Sequence, residues 1–142
     1  METNSLHRGR LIDHLQLVVA DLAASRRFYL ATLGALGIPL GGEGPGFFWF
    51  DELFVSTADS PAAHGELTGR VHLAFQAESQ EQVRAFHQAG LDAGFADGGA
   101  PGERPYHPGY FAAFLKDPDG NNIEAVFHGP AKRSAASIVI DF

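Results

Sequence analysis

One carboxylate in the second half of the chain lies where a reaction could use it. Glu124 follows the turn sequence Asp117–Asn121 (DPDGN), in which proline restricts φ and glycine supplies a positive φ. The turn joins two predicted strands, Tyr110–Leu115 and Ile123–Phe127, into a β-hairpin. Because side chains alternate along a strand, Glu124 and His128 share one face. Glu124 therefore either faces water from a half-solvated strand or belongs to a site.

A second titratable group precedes this hairpin. The sequence YHPGY supplies Tyr106, His107 and Tyr110. A histidine can accept or donate a proton near neutral pH, and a tyrosine hydroxyl can stabilise a developing oxyanion. Tyrosines and prolines can equally do no more than pack a loop. The cluster ends the Gly- and Pro-rich stretch Asp97–Gly109, which we expect to be a long loop that covers the site.

The first half of the chain predicts a strand, a helix and further strands. The segment Leu11–Val19 alternates between apolar and polar residues, as a half-buried strand does. Asp21 is a suitable N-cap for a helix from Leu22 to about Leu33, and Gly34 is a suitable residue to end it. The segment Phe47–Ser56 is strongly β-forming, with a turn expected near its middle.

The second half repeats this order 58 residues later. Val71–Ala77 alternates as a strand, and Ser79 begins a capping box with Gln82 for a helix that ends near Ala93-Gly94. The matching pairs are His14 and His72, Leu15 and Leu73, Arg26 and Arg84, Phe28 and Phe86, and Leu33 and Leu91. We therefore expect one domain, residues 1–142, built from two modules at about 10–58 and 69–129, with a tail at 130–142.

Composition limits the classes of function. The 142 residues are 45% hydrophobic, carry a formal charge of −7 and include no cysteine. The negative charge argues against nucleic acid or an anionic membrane surface as a partner. The absence of cysteine excludes disulfides, zinc-thiolate sites and cysteine nucleophiles. The polar start and the lack of a long apolar run predict a soluble, cytoplasmic protein.

Three segments together resemble one superfamily. They are IDHLQLVVADLAASRRFYLATLG, GRVHLAFQAESQEQVRAFHQAG and GYFAAFLKDPDGNNIEAVFHG. They resemble the vicinal oxygen chelate superfamily, which includes glyoxalase I, extradiol dioxygenases, fosfomycin-resistance enzymes and bleomycin-binding proteins. The resemblance covers about residues 11–129. It implies an α+β fold in which two βαβββ modules form curled mixed sheets around a shared cavity.

The resemblance also implies a metal site. In metal-dependent members the ligands come from the first and last strands of each module, which correspond to His14, His72 and Glu124. Two imidazoles and a carboxylate suit Ni, Zn, Mn or Fe. The last strand of module one offers no clear ligand, because its triplet LFV places Phe54 where glyoxalase I has a second carboxylate. Only a slip of register would bring Glu52 to that position.

The remaining candidates surround these ligands. Glu124, His107 and Tyr110 are the predicted catalytic residues. Aromatic residues favour a mostly apolar organic substrate, although they can equally be core residues. The predicted substrate pocket consists of Trp49, Phe54, Tyr106, Phe111 and His128, with Phe47 as a further lining residue.

Three functions stay open from the sequence. The first is a glyoxalase-like lyase or isomerase that transfers a proton on a substrate chelated through vicinal oxygens. The second is an Fe(II) extradiol dioxygenase, whose ligand set is also two histidines and a glutamate. The third is a metal-free protein that sequesters a small toxic compound. The resemblance also predicts a homodimer, and the C-terminal SIVIDF segment is expected to add an edge strand or to pack on a partner.

Overall fold

A computed structural model describes residues 5–8, 12–130 and 138–141 of the chain. The described residues form two compact units. Unit one holds those up to Arg26, the segment Ile38–Thr68 and residues 138–141, and unit two holds Arg27–Gly37 and residues 69–130. Within the described segments, no helix combines the length and the apolar composition that crossing a membrane requires.

Ten strands and two helices make up the described elements. In chain order they are β1 (Ser5–Arg8), β2 (Leu15–Val18), α1 (Leu22–Ala35), β3 (Gly42–Gly44), β4 (Phe47–Phe50), β5 (Leu53–Ser56), β6 (His72–Gln76), α2 (Gln80–Asp92), β7 (Ala96–Glu103), β8 (Phe111–Lys116), β9 (Asn122–Phe127) and β10 (Ile138–Asp141).

The two units contain sheets of the same design. The first sheet has the strand order β2-β5-β4-β3 and the second has β6-β9-β8-β7. In each sheet the first two strands pair in parallel and the others are antiparallel. The predicted α+β fold with two βαβββ modules is therefore confirmed. The two terminal strands, β1 and β10, form a separate antiparallel pair, so the C-terminal segment does form a strand.

The helix starts agree with the predicted caps. The Asp21 carboxylate accepts a hydrogen bond from the backbone N–H of Ala24 at 3.1 Å. The Ser79 hydroxyl accepts one from the N–H of Gln82 at 3.1 Å. The predicted end of α1 at Gly34 is wrong, because the helix continues to Ala35. The residue with a positive φ is Gly37, which can adopt the left-handed conformation at little cost.

The stretch Asp97–Gly109 is not the long loop that its composition suggests. Residues Ala96–Glu103 form β7, the edge strand of the second sheet, and only residues 104–110 connect it to β8. Its pairing with β8 shifts register around Gly99. An edge strand tolerates Pro101 and several glycines because one side of its backbone needs no partner, and bulges absorb the extra residues. The stretch is thus the counterpart of β3 in the other module, not an insertion.

The turn between β8 and β9 is organised by a buried carboxylate. Oδ1 of Asp117 accepts hydrogen bonds from the N–H groups of Asp119 and Asn121 at 3.0 and 2.8 Å. Oδ2 accepts from the Tyr29 hydroxyl at 2.9 Å and from the Asn121 amide at 3.1 Å. Burial, together with the negative charge of Asp117, raises the pKa of Tyr29 far above its usual value. The hydroxyl therefore keeps its proton and donates it.

The same turn connects the hairpin to β6. The side-chain oxygen of Asn121 accepts a hydrogen bond from the N–H of Val71 at 2.9 Å. The N–H of Asn122 donates to the Val71 carbonyl at 2.9 Å. These bonds set the start of β6 beside the start of β9, so the turn determines which residues of the two strands lie side by side.

We expect the Tyr29 hydroxyl to contribute measurably to stability. The substitution Tyr29→Phe leaves the buried Asp117 carboxylate one donor short, which should lower the free energy of unfolding by about 1.5–3 kcal/mol. Urea denaturation at neutral pH measures the change. Tyr106→Phe is the matched control, because Tyr106 is 71% exposed and should change stability by less than about 0.5 kcal/mol. Equal effects of the two substitutions would contradict this role of Asp117.

Candidate functional site

The central residue of the candidate site in unit two is Glu124. In the sheet register Glu124 pairs with Ala74 of β6 on one side and with Phe114 of β8 on the other. Paired residues point to the same face of a sheet. The opposite face carries Leu115, Ile123 and other apolar side chains that are fully buried. Glu124 is only 2% exposed, so its carboxylate needs nearby partners.

One of those partners is His72. Its Nε2 atom lies 2.9 Å from Oε1 of Glu124. Its Nδ1 atom lies 3.1 Å from the carbonyl oxygen of Asn122, and because a carbonyl can only accept, Nδ1 carries the proton. Nε2 therefore faces the carboxylate and either donates a proton to it or, without that proton, presents a lone pair. Two electron-rich atoms at this distance require a proton or a cation between them.

The other partner is Tyr110, whose hydroxyl donates a short hydrogen bond to Oε2 of Glu124. Burial and this hydrogen bond raise the pKa of Tyr110 to about 12, and the nearby charge of Arg104 acts weakly in the opposite direction. Tyr110 is therefore protonated at neutral pH and acts as a donor to the carboxylate. His72, Glu124 and Tyr110 form one continuous hydrogen-bonded chain.

Two further histidines and a tyrosine surround the ring of Tyr110. Nε2 of His107 lies 2.9 Å from Nδ1 of His128, and both rings contact Tyr110 edge-on at centroid distances of 5.4 and 5.3 Å. Tyr106 contacts the same ring at 5.0 Å. The predicted residues of the YHPGY cluster thus do lie together. His107 and His128 contact the ring of Tyr110 and not the carboxylate.

Local backbone geometry holds this cluster against β9. Gly109 and Gly129 both have a positive φ. A Cβ atom on Gly109 would lie 3.2 Å from the carbonyl oxygen of His128. Glycine therefore permits the close approach that brings the loop before β8 onto the end of β9. The same approach places His107 beside His128.

In unit one an aromatic residue occupies the position equivalent to Glu124. Phe54 pairs with Gln16 of β2 and with Trp49 of β4, as Glu124 pairs with Ala74 and Phe114 in unit two. The register is regular through β5, so no slip brings Glu52 to this position. Module one therefore has no carboxylate there.

Phe54 belongs to a set of three nearly parallel rings. The Phe54 ring centroid lies 5.4 Å from that of Phe47 and 6.3 Å from that of Trp49, with interplanar angles of 16° and 5°. A cavity of about 540 Å³ lies against Phe54 and Trp49, with His14, Gln16 and Asp51 among its lining residues. The Gln16 amide nitrogen donates to the hydroxyls of Ser56 and Ser60 at 2.8 and 3.0 Å. This cavity is mostly apolar with a polar margin.

Glycines of β3 provide the space for these rings. A Cβ atom on Gly42 would lie 2.4 Å from Cζ2 of Trp49, and one on Gly44 would lie 2.6 Å from Cζ of Phe47. Real Cβ atoms do not approach other atoms so closely, so any other residue would displace the rings. The glycines near residue 42 in the sequence are the signal of this packing.

The other predicted residues separate into the two units. His14 is exposed at the cavity of unit one, with Nδ1 placed 2.5 Å from Oδ1 of Asp13, which leaves its Nε2 atom available. Phe111 lies on the helix side of the second sheet, 6% exposed, with the guanidinium of Arg84 at 4.9 Å from its ring. Phe111 is thus a core residue and does not share the face of Glu124.

Sequence reasoning missed two residues that contribute to these surfaces. Gln16 lines the cavity of unit one, and its place on the same strand face as His14 was the available signal. Arg104 lies with its guanidinium 5.3 Å from the ring of Phe114. The sequence indicates Arg104 less clearly, because its position depends on glycines of β7, a strand that the composition of this stretch does not predict.

Comparison with known proteins identifies the family. The model of the Glyoxalase/Bleomycin resistance protein/Dioxygenase superfamily matches residues 11–125. The chain belongs to this superfamily. It is 32% identical over 128 residues to the Bacillus subtilis protein YqjT, a match that covers 81% of this chain and 97% of YqjT.

Solved structures of the superfamily are similar as well. A glyoxalase/bleomycin resistance protein from Albidiferax ferrireducens has 33% identity and a TM-score of 0.67, over 82% of this chain and 97% of that one. The lactoylglutathione lyase from Agrobacterium tumefaciens has 18% identity and a TM-score of 0.62, over 83% and 93% of the two chains. The second similarity shows the fold alone.

Because divalent metals are common in this superfamily, the donor atoms were compared with what an ion requires. Within the described part of either unit, no three His, Asp or Glu side chains form a group that would hold an ion by themselves. Unit two supplies two donors, Nε2 of His72 and Oε1 of Glu124, 2.9 Å apart. Two ligands about 2.1 Å from one ion and at right angles are about 3.0 Å apart. The pair therefore fits two adjacent positions around a divalent ion.

The anchoring of the histidines supports the same conclusion. A metal-binding histidine usually donates its second ring N–H to a carbonyl or carboxylate, which fixes the tautomer. Nδ1 of His72 has such a partner in the Asn122 carbonyl, and Nδ1 of His14 has one in the Asp13 carboxylate. In each histidine Nε2 is thus the nitrogen that would bind an ion, and in His72 it already faces the Glu124 carboxylate.

We expect Gly42→Ala to disturb the aromatic rings of unit one. The added methyl group must displace the indole of Trp49, which should shift the fluorescence emission and lower stability by about 1–3 kcal/mol. Trp49 is the single tryptophan of the chain, so its emission reports on this surface directly. Gly34→Ala in α1 is the control, because a Cβ atom there meets nothing within 4 Å. Unchanged emission in Gly42→Ala would argue against the described packing.

Proposed function

We propose that this chain is a glyoxalase-like, metal-dependent lyase or isomerase that transfers a proton on a small organic substrate with two neighbouring oxygen atoms. The observation that carries the proposal is the hydrogen-bonded chain of exposed His72, buried Glu124 and half-buried Tyr110. A carboxylate that is 2% exposed, with an imidazole nitrogen on one oxygen and a tyrosine hydroxyl on the other, is costly unless it is paired with positive charge, and such carboxylates are common at functional sites.

His72 and Glu124 would hold the divalent ion, and the resemblance supplies His14 as the third ligand. Three protein ligands would leave positions for water or for a chelating substrate, which favours a catalytic site over a closed structural one. When bound, the ion supplies positive charge that stabilises negative charge on the substrate oxygens. Nickel, zinc, manganese and iron all suit these nitrogen and oxygen donors.

The protein side chains would move the proton. The Glu124 carboxylate accepts a proton from the substrate carbon beside a carbonyl group, and the electron pair of the broken C–H bond forms an enediolate. Glu124 then returns the proton to the neighbouring carbon while the hydroxyl proton passes to the former carbonyl oxygen, which completes an isomerisation with no external oxidant or reductant. Tyr110, which keeps its own proton, orients the carboxylate through Oε2. His107 and His128 hold the ring of Tyr110 in place.

A metal-free binding protein is the second candidate, and the cavity of unit one favours it. Phe54 stands where a second carboxylate would be, and three parallel rings line a surface suited to a flat organic compound. Binding would then depend on stacking and on hydrogen bonds that the side-chain oxygen of Gln16 accepts. An Fe(II) extradiol dioxygenase, which uses the same kind of ligand set, would be recognised by oxygen uptake with a catechol in the iron-loaded protein.

The decisive measurement for the proposed function is metal binding. At a metal concentration about 100 times the dissociation constant, the wild type should gain about 2.7 kcal/mol of stability. Glu124→Gln and His72→Ala should lose most of this gain, measured as the shift in melting temperature on adding Ni, Zn, Mn or Fe(II) after dialysis. His64→Ala is the matched control, because His64 is exposed in a loop. Failure of all four metals to stabilise the wild type would reject the enzyme and favour the binding protein.

Tyr110→Phe tests the proton transfer. Loss of the hydroxyl removes the donor to Glu124, so the rate of hydrogen exchange at the substrate carbon should fall about tenfold or more. Dihydroxyacetone in D₂O with the metal-loaded protein provides an NMR readout of this exchange, and His107→Ala should produce a smaller loss. Tyr106→Phe, which removes an exposed hydroxyl, is the control. An unchanged exchange rate in Tyr110→Phe with an intact melting temperature would exclude this role.

The proposal includes a homodimer. Many members of the superfamily are dimers, and both sheets have edge strands, β3 and β7, that a second chain can cover. The ligands of one ion would then come from one chain or from two.

A further inference from the structure

The side chain of Arg104 lies in a space that glycines create. After β7 the chain places Arg104 so that its side chain folds back along the strand. Nη2 donates to the carbonyl of Ala100 at 2.7 Å, and Nη1 donates to the carbonyl of Glu103 at 3.3 Å. A Cβ atom on Gly102 would lie 3.0 Å from Nη1, and one on Gly99 would lie 3.6 Å from Nη2. A larger residue at Gly102 would crowd the guanidinium, whereas one at Gly99 would make only ordinary contact with it and would crowd the Phe114 ring at 3.1 Å instead.

The guanidinium is thereby held beside the candidate site of unit two. Its central carbon lies 5.3 Å from the centre of the Phe114 ring. The ring of His72 packs against Phe114 as well, at a centroid distance of 6.1 Å, and Phe114 pairs with Glu124 in the sheet. The backbone N–H of Arg104 donates to the carbonyl of Tyr110 at 2.9 Å. Arg104 therefore adjoins the same residues that the proposed reaction uses.

Arg104 also has unused binding capacity. Within residues 12–130 no carboxylate lies within 4 Å of its guanidinium, whereas Arg26 forms a two-point pair with Glu43 at 2.9 and 2.8 Å. Two carbonyls engage Nη1 and Nη2, so some of its five N–H donors stay available. A half-buried cation without a carboxylate is unusual in a chain with a formal charge of −7. Guanidinium groups match carboxylate and phosphate oxygens in geometry.

We propose that Arg104 binds an anionic oxygen group, a carboxylate or a phosphate, on the substrate. The rest of that substrate would carry the vicinal oxygens that reach His72 and Glu124, so this inference rests on the proposed function and specifies its substrate class. Phe114 provides the surface on which the guanidinium lies flat. Gly102 leaves room for the side chain, and the carbonyls of Ala100 and Glu103 hold it in this position, which limits the entropy lost when the anion binds.

The test uses three probes with one chelating group. Acetohydroxamate is neutral apart from the chelating group, succinic monohydroxamate adds a carboxylate, and phosphonoacetohydroxamate adds a phosphonate. Calorimetry with the metal-loaded protein should show at least one anionic probe binding more tightly than the neutral probe. In Arg104→Gln this advantage should fall about ten- to a hundredfold, and Arg104→Lys should retain part of it because it keeps the charge without the planar fork. The probe with the larger advantage identifies the anion.

The matched control is Arg84→Gln. Arg84 also lies over a phenylalanine ring, that of Phe111 at 4.9 Å, but on the helix side of the sheet, so its loss should leave the anion advantage unchanged. The inference is overturned if the anionic probes bind no tighter than acetohydroxamate to the wild type, or if Arg104→Gln retains their advantage. Failure of the metal to bind would instead reject the proposed function. Succinate and inorganic phosphate would then be compared on metal-free wild type and Arg104→Gln, and equal binding would reject the anion site too.

Discussion

The position of the candidate site depends on one buried carboxylate, that of Asp117. Its two oxygens accept four hydrogen bonds, three from within the turn and one from Tyr29 of α1. Asn121, which this carboxylate orients, bonds in turn to the backbone at the start of β6. An unsatisfied buried carboxylate would be very unfavourable, so the turn has little freedom to change. The fixed turn sets β9 beside β6, and this register places Glu124 within reach of His72.

The two modules use one backbone plan for two different surfaces. Equivalent registers place Glu124 in one sheet and Phe54 in the other. In unit two the neighbours of the carboxylate are a histidine and a tyrosine, which suit proton transfer. In unit one the neighbours of Phe54 are further aromatic rings and an amide, which suit the recognition of an organic group. The repeat therefore preserves the backbone geometry, while the side chain at one equivalent position is a carboxylate in unit two and an aromatic ring in unit one.

The edge strands β3 and β7 share a further feature, because both contain glycines that leave space for side chains from other strands or loops. In β3 the glycines leave room for the rings of Trp49 and Phe47, and in β7 they leave room for the guanidinium of Arg104. In each case a long side chain from a neighbouring segment covers one face of the edge strand, since the glycines have no side chains that could cover it. Glycine weakens a strand, because it has no side chain to pack and more conformational entropy to lose. At both edges the space that it leaves is filled by a side chain from another part of the chain.

The sequence by itself determined the features that depend on local interactions. Asp21 and Ser79 cap helices because their side chains reach backbone N–H groups of the next turn, and the DPDGN segment forms a turn because proline and glycine fix its dihedral angles. The repeat was also visible in the sequence, since equivalent strands need equivalent patterns of apolar residues. Those features predicted two modules of strand, helix and further strands, and they singled out Glu124 and Tyr110. The resemblance to the superfamily added the βαβββ order and the choice of His72.

Tertiary structure decided what local pattern leaves open. The stretch from Ala96 became a strand because β8 supplied the hydrogen bonds that its own glycines and proline do not favour. Phe111, as apolar as Phe54, entered the core because the alternation of β8 turns it toward α2. The hydrogen bond from Tyr110 to Glu124 and the place of Arg104 over Phe114 join residues 10 to 14 positions apart on different elements. Such contacts depend on strand register and on side-chain packing, which propensity and spacing along a chain do not specify.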